Sequence, residues 1–242
     1  MSSTSHISFE TFRKNLGANV EPGLRQHLWK VYTSMAFTCA AASVGVFIHV
    51  LDIWRAGMLS ILLHLITVVA LLVMPVNPNN RQVRFALLLT IGGLTGHVMG
   101  HLIEQVWVIN PAFVMTALVG TTICFGLLSA SALIARRGSH LVLGGALGCV
   151  MSGLVLVAIS NLFLQSWVIH KISLYFGMAA MFGFVLFDTQ LIMEEYRFGF
   201  DDFVSHALRL FFNFADMFRI LMLLFQSGDG QRRRRNGNGS SD

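Results

Sequence analysis

Six stretches of this chain are long and apolar enough to cross a lipid bilayer, and that property excludes most folds. A helix needs roughly 20 apolar residues to span the hydrocarbon core. The stretches cover about 31–51, 57–74, 85–106, 112–134, 141–163 and 169–193. A seventh, about 203–226, is long enough but mixed in polarity. Inside lipid every backbone polar group has to be paired within the protein, so a chain with runs of this length folds as helices. Charged residues are 12% of the 242 positions, against about 25% in soluble domains, which leaves little material for a separate soluble domain. The expected organisation is therefore an N-terminal segment over 1–30, a helical membrane domain over 31–226 and a basic, disordered tail over 227–242. The first thirty residues are polar and mixed in charge, so no cleavable leader is expected there.

The basic residues orient the bundle. Arg13, Lys14, Arg25 and Lys30 precede the first span; Arg81 with Arg84, and Arg136 with Arg137, fall in alternate connections on the same side. Lys and Arg concentrate on the cytoplasmic side of membrane proteins. Trp54, Trp107 and Trp167 fall at the opposite interface, the depth that indole rings favour. A run of four arginines, Arg232 to Arg235, follows the last segment. Seven crossings would strand it on the opposite side, whereas a last segment that dips in and returns would keep it in the cytoplasm. Such runs address anionic lipid headgroups, and no nucleic-acid module accompanies them. Cys39, Cys124 and Cys149 sit far apart in apolar runs and read as small buried hydrophobes.

Glycine rows mark helix contacts: Gly92, Gly96 and Gly100 on the third span, and Gly144, Gly148 and Ser152 on the fifth. Small residues at this spacing let helix backbones approach closely.

Polar residues inside the apolar runs are the functional candidates. An ionisable group at a helix centre costs about 2.5–3.5 kcal/mol on insertion, so it faces a bundle interior or water. Asp188 stands in "FGFVLFDTQLIMEEY", between phenylalanines, valine and leucine. In the seventh segment His206, Arg209, Asn213 and Asp216 recur at intervals of three and four and form one polar stripe. That stripe either turns toward Asp188 within a ring of apolar helices or lies along the membrane surface. The third span carries Thr90, His97, His101 and Glu104. His97 and His101 have the spacing of a metal pair; with Ser60, His64 and Asp188 they could furnish an intramembrane zinc site. Interhelical hydrogen bonding explains them more cheaply, so no metal is assigned.

"GFVLFDTQLIMEE" followed by a short charged loop and "LRLFFNFADMFRILM" resembles the signature region of the Bax inhibitor-1 (transmembrane Bax inhibitor motif) family. The likeness extends through "HLWKVYTSMAF", "LTGHVMGHLIE" and "SALIARRGSHLVLGGAL", nearly the whole chain. It implies an all-α integral membrane protein in which six transmembrane helices surround a central, partly polar seventh. It also implies residence in the endoplasmic reticulum, a pH-sensitive calcium leak, and suppression of programmed cell death through anti-apoptotic Bcl-type partners. Calcium would be the permeant ion, no cofactor is implied, and self-association is left open. In the family two aspartates form a proton-sensing pair. Asp188 matches the first, and the second position holds Asn213, a departure that puts pair titration in doubt. Asp216, one turn on, is the candidate substitute, with His206, Arg209 and Glu104 as pathway-lining residues. Two other readings stay open: a non-conducting scaffold for Bcl-type partners, and a zinc-dependent intramembrane hydrolase.

Overall fold

The computed structural model describes residues 21–238, which fold as helices joined by short connections. In chain order they are α1 (Pro22–Val50), α2 (Met58–Val73), a short 3-10 turn (Pro78–Asn80), α3 (Arg81–Ile109), α4 (Pro111–Ile134), α5 (Leu143–Leu164), α6 (Trp167–Arg197) and α7 (Phe203–Asn238). The prolines explain the boundaries. Pro22 and Pro111 open α1 and α4, where a missing N–H costs nothing. Asn110 caps α4 by accepting from the Ala112 amide at 3.0 Å, and Ser166 does the same for α6.

α7 is the central element, as the resemblance implies. It is flanked by α1, α3, α4 and α6, while α2 packs mainly on α3 and α5 on α6. Val204, Ala207, Leu210, Phe211 and Met217 of α7 are nearly inaccessible. α5, by contrast, buries only Leu147. Its outer face, with Leu156, Ile159, Leu162 and Phe163, is exposed, as is the Leu59, Leu62, Leu65 and Ile66 face of α2. Apolar surface on this scale suits lipid, not water.

The main departures from the sequence expectation are the start of α1, the reach of α2 and the end of α7. α1 starts at Pro22, inside the segment assigned to 1–30, because Leu24, His27 and Leu28 are buried in the bundle. α2 has 16 residues, about 24 Å at 1.5 Å per residue, short of the roughly 30 Å hydrocarbon core. Five of the described helices, α1 and α3 to α6, are long and apolar enough to cross, where six segments were expected. α7 continues to Asn238, beyond the 226 expected, since no proline interrupts the arginine run.

The α1–α3 contact shows what the first glycine row is for. A Cβ added at Gly96 would lie 1.9 Å from the Ala42 carbonyl oxygen, and one at Gly45 the same distance from that of Gly93. At Gly92 it would meet the Thr38 carbonyl at 2.6 Å, and at Gly100 the His49 ring at 2.7 Å. The two backbones are in van der Waals contact, a separation only glycine permits. The row on α5 is different: Gly144 accommodates the Phe187 ring, but Gly148 faces open space.

Candidate functional site

Asp188 lies on the inner face of α6, 6% exposed. Asn213 of α7 donates Nδ2–H to its Oδ2 at 2.7 Å. The Arg209 guanidinium stands 4.0 Å from its Oδ1, one helical turn from Asn213. Arg209 also donates to both carboxylate oxygens of Glu195, at 3.1 and 3.2 Å. Glu195 in turn faces His206 Nε2 at 3.1 Å, and His206 Nδ1 lies 2.8 Å from His27 Nε2 of α1. His27, His206, Glu195, Arg209, Asp188 and Asn213 thus form one polar chain through the α1–α6–α7 interface. Helix geometry builds it: Asp188 and Glu195 are two turns apart on α6, and His206, Arg209 and Asn213 descend α7 at spacings of three and four. Charge-assisted bonds of this kind are about twice as strong as neutral ones, and a linked network satisfies groups that would be costly alone.

The basic end of the bundle is tied just as closely. Arg84, 3% exposed, reaches the carbonyls of Leu71 and Met74 at the end of α2, as well as Asp202 and the Ser205 hydroxyl at the start of α7. Arg137 grips Glu194 through two nitrogens, at 2.7 to 3.0 Å, and Arg197 joins them. Gln190 accepts from the His140 amide and donates toward the Ala132 and Arg136 carbonyls, so it closes the α4–α5 connection. The basic residues that orient the chain are also its end stitching.

The remaining candidates lie elsewhere. Asp216 pairs with Arg219 at 3.1 Å, is about half exposed, and lines an open groove with His64, Thr95 and Phe212. It does not join Asp188. His64 bonds Thr95, and Ser60 accepts the Gly57 amide, so these two residues of the zinc-hydrolase reading are engaged in contacts of their own. His97, His101 and Glu104 cluster at the opposite end of α3, near His49. Of the chain around Asp188, His27 and Glu195 were not singled out from the sequence. Glu195 had a usable signal, its two-turn spacing from Asp188. His27 had none, because its neighbours Arg25 and Lys30 read as solvent.

The comparisons agree with this architecture. The family model described as "Inhibitor of apoptosis-promoting Bax1" matches residues 24–230. The chain is 38% identical over 229 residues to Bax inhibitor 1 of Mus musculus, covering 94% of this chain and 96% of that one. It is 36% identical over 231 residues to Bax inhibitor 1 of Drosophila melanogaster, covering 95% and 94%. It is 36% identical over 228 residues to Bax inhibitor 1 of Arabidopsis thaliana, covering 93% and 89%. With a helical bundle of apolar outer surface and a family match over residues 24–230, the chain belongs to the Bax inhibitor family of anti-apoptotic, multi-pass membrane proteins.

Proposed function

We propose that this protein restrains programmed cell death from the endoplasmic-reticulum membrane by a pH-sensitive calcium leak, with Asp188 at its control point. The observation that supports this reading most is the buried carboxylate itself, set in a polar chain that spans three helices. A membrane bundle has no packing reason to bear the cost of such a group, whereas a cation pathway needs one.

The chemistry follows from the partners. Two carboxylates in contact share a proton and titrate as a unit. Asn213 keeps the hydrogen bond but holds no proton to lose, so that coupling is missing here. The next acid connected to Asp188 is Glu195, through the shared Arg209. Protonating Asp188 would release Arg209 toward Glu195; ionising it would draw Arg209 back. Arg209 is thus the moving part, and His206 on the far side of Glu195 couples it to α1.

One second reading has its own support. Among the described residues Asp188 is held by Asn213 and Arg209 and hydrogen-bonds no second acid, an arrangement that also suits a non-conducting scaffold for Bcl-type proteins. Purified protein in calcium-loaded liposomes separates the two. The leak reading expects calcium release above that of protein-free vesicles, changing with pH. In the same vesicles Glu195→Gln should shift the pH response, whereas Asp216→Asn, whose carboxylate pairs only locally with Arg219, should leave it in place. Absence of release at every pH would favour the scaffold.

A further inference from the structure

We propose that His49, His101 and Glu104 form a binding site for a zinc-class metal ion at the end of the bundle opposite the basic cluster. One ligand atom from each lies within 4.8 Å of the other two. His49 comes from the last turn of α1, and His101 and Glu104 from one face of α3. The site is separate from the Asp188 chain and does not depend on the leak.

Three observations converge on it. His49 is 4% exposed and among the described residues its Nε2 has no hydrogen-bond partner; a Glu104 oxygen faces it at 3.5 Å. A buried ring nitrogen without a partner is costly, and here it points at a carboxylate and a second imidazole. The seat is also specific to this ring, since a Cβ at Gly100 would fall 2.7 Å from His49 Cβ and Cγ. Finally, the surroundings are polar: the buried His97 ring, 3% exposed, stands 5.7 Å from the His49 ring.

The donor set chooses the ion. Two imidazoles and a carboxylate suit zinc, with water in the fourth position. Calcium takes oxygen ligands and would not select this site. Gln105, 3.0 Å from His101 Nε2, can hold that ring by one nitrogen while the other coordinates. Arg55 does not block access: its guanidinium is committed to Asp52 at 2.5 Å and only reaches Glu104 at 3.9 Å.

Ion binding has a structural consequence. His49 Nδ1 now accepts the Ala56 amide at 2.9 Å, which fixes the proton on Nε2. A ring metallated at Nε2 carries its proton on Nδ1 and can no longer accept that amide. Uptake of the ion would therefore free the connection around Ala56 from α1. Trp54, in the same connection and 4.9 Å from the His97 ring, is a built-in reporter.

Full-length protein in detergent, titrated with Zn2+ by calorimetry, should bind one ion. Losing an outer-shell partner typically weakens metal binding 10–100-fold, so losing a ligand in His101→Ala or Glu104→Gln should cost more than about 100-fold. Both side chains are at least partly exposed, so these variants should fold as the parent does. In a variant with Trp29, Trp107 and Trp167 changed to Phe, Zn2+ should alter Trp54 emission. No stoichiometric binding, binding retained in both ligand variants, or binding without a change at Trp54 would each overturn the proposal. Glu104 would then be only a weak acceptor for His49.

Discussion

Gly96→Ala should lower the stability of the folded bundle by about 3 kcal/mol, the upper end of what overpacking usually costs. The new methyl would start 1.9 Å from the Ala42 carbonyl oxygen. That atom belongs to the backbone of α1 and cannot swing aside as a side chain would, so the helices themselves have to separate. Separation loosens the seats of Thr38 against Gly92 and of His49 against Gly100 along the same seam. The sign of the effect is diagnostic. In an isolated helix Gly→Ala is favourable by about 1 kcal/mol, so a rise in the unfolding midpoint would mean that α1 and α3 are not in backbone contact. Gly148→Ala on α5 is the internal control. Nothing lies within 4 Å of its added methyl, and propensity alone should leave that variant unchanged or stabilised by up to about 1 kcal/mol. Thermal unfolding of the three proteins in one detergent measures both.

Arg84→Ala should cost about 3–5 kcal/mol, the range for breaking a buried charge pair by removing one partner. The guanidinium ties together three elements: the last carbonyls of α2, Asp202 ahead of α7, and Ser205 in its first turn. Without it Asp202, with a side chain 16% exposed, keeps its charge in a site that offers only the Ser205 hydroxyl and the Val204 amide. The α2 carbonyls of Leu71 and Met74 lose the side chain that caps them. Arg84→Lys restores charge but not the fork that serves acceptors on several sides, so it should recover only part of the loss. Asp202→Asn in the Arg84→Ala background should relieve the stranded charge and regain stability. If Arg84→Ala unfolds at the parental midpoint, the α2–α3–α7 tie carries no energy.

Much of this architecture could be read before the structure. The apolar runs located every helix core because the bilayer fixes both length and composition. The stripe of His206, Arg209 and Asn213 was found from helical periodicity alone, and it does turn toward Asp188. Asp216 shares the stripe's face yet lines the groove toward α2 and α3, because it stands two turns beyond Arg209 along α7, past the level of Asp188. The start of α1 was missed since burial of His27 depends on α7, nearly 180 residues away, and no local pattern carries that information. α2 lies within one residue of the expected 57–74 at each end, but at 16 residues it is too short for a full crossing, a margin that apolar composition alone does not reveal. Of the two glycine rows, only the one on α3 meets a partner backbone, at Gly92 and Gly96, a distinction that requires the neighbour to be known.

The central claim is that the charge on Asp188 controls ion passage, and calcium release from proteoliposomes measured against pH tests it directly, with Asp188→Asn beside the parent. Asparagine keeps the size and hydrogen-bonding capacity toward Asn213 and removes only the ionisation. Loss of a charge-assisted interaction of about 1.5 kcal/mol corresponds to roughly a tenfold change. The account therefore expects release to change by about that factor where the parent responds to pH, and the pH dependence itself to flatten. A folded Asp188→Asn protein that releases calcium at the parental rate, with the parental pH profile, would contradict it.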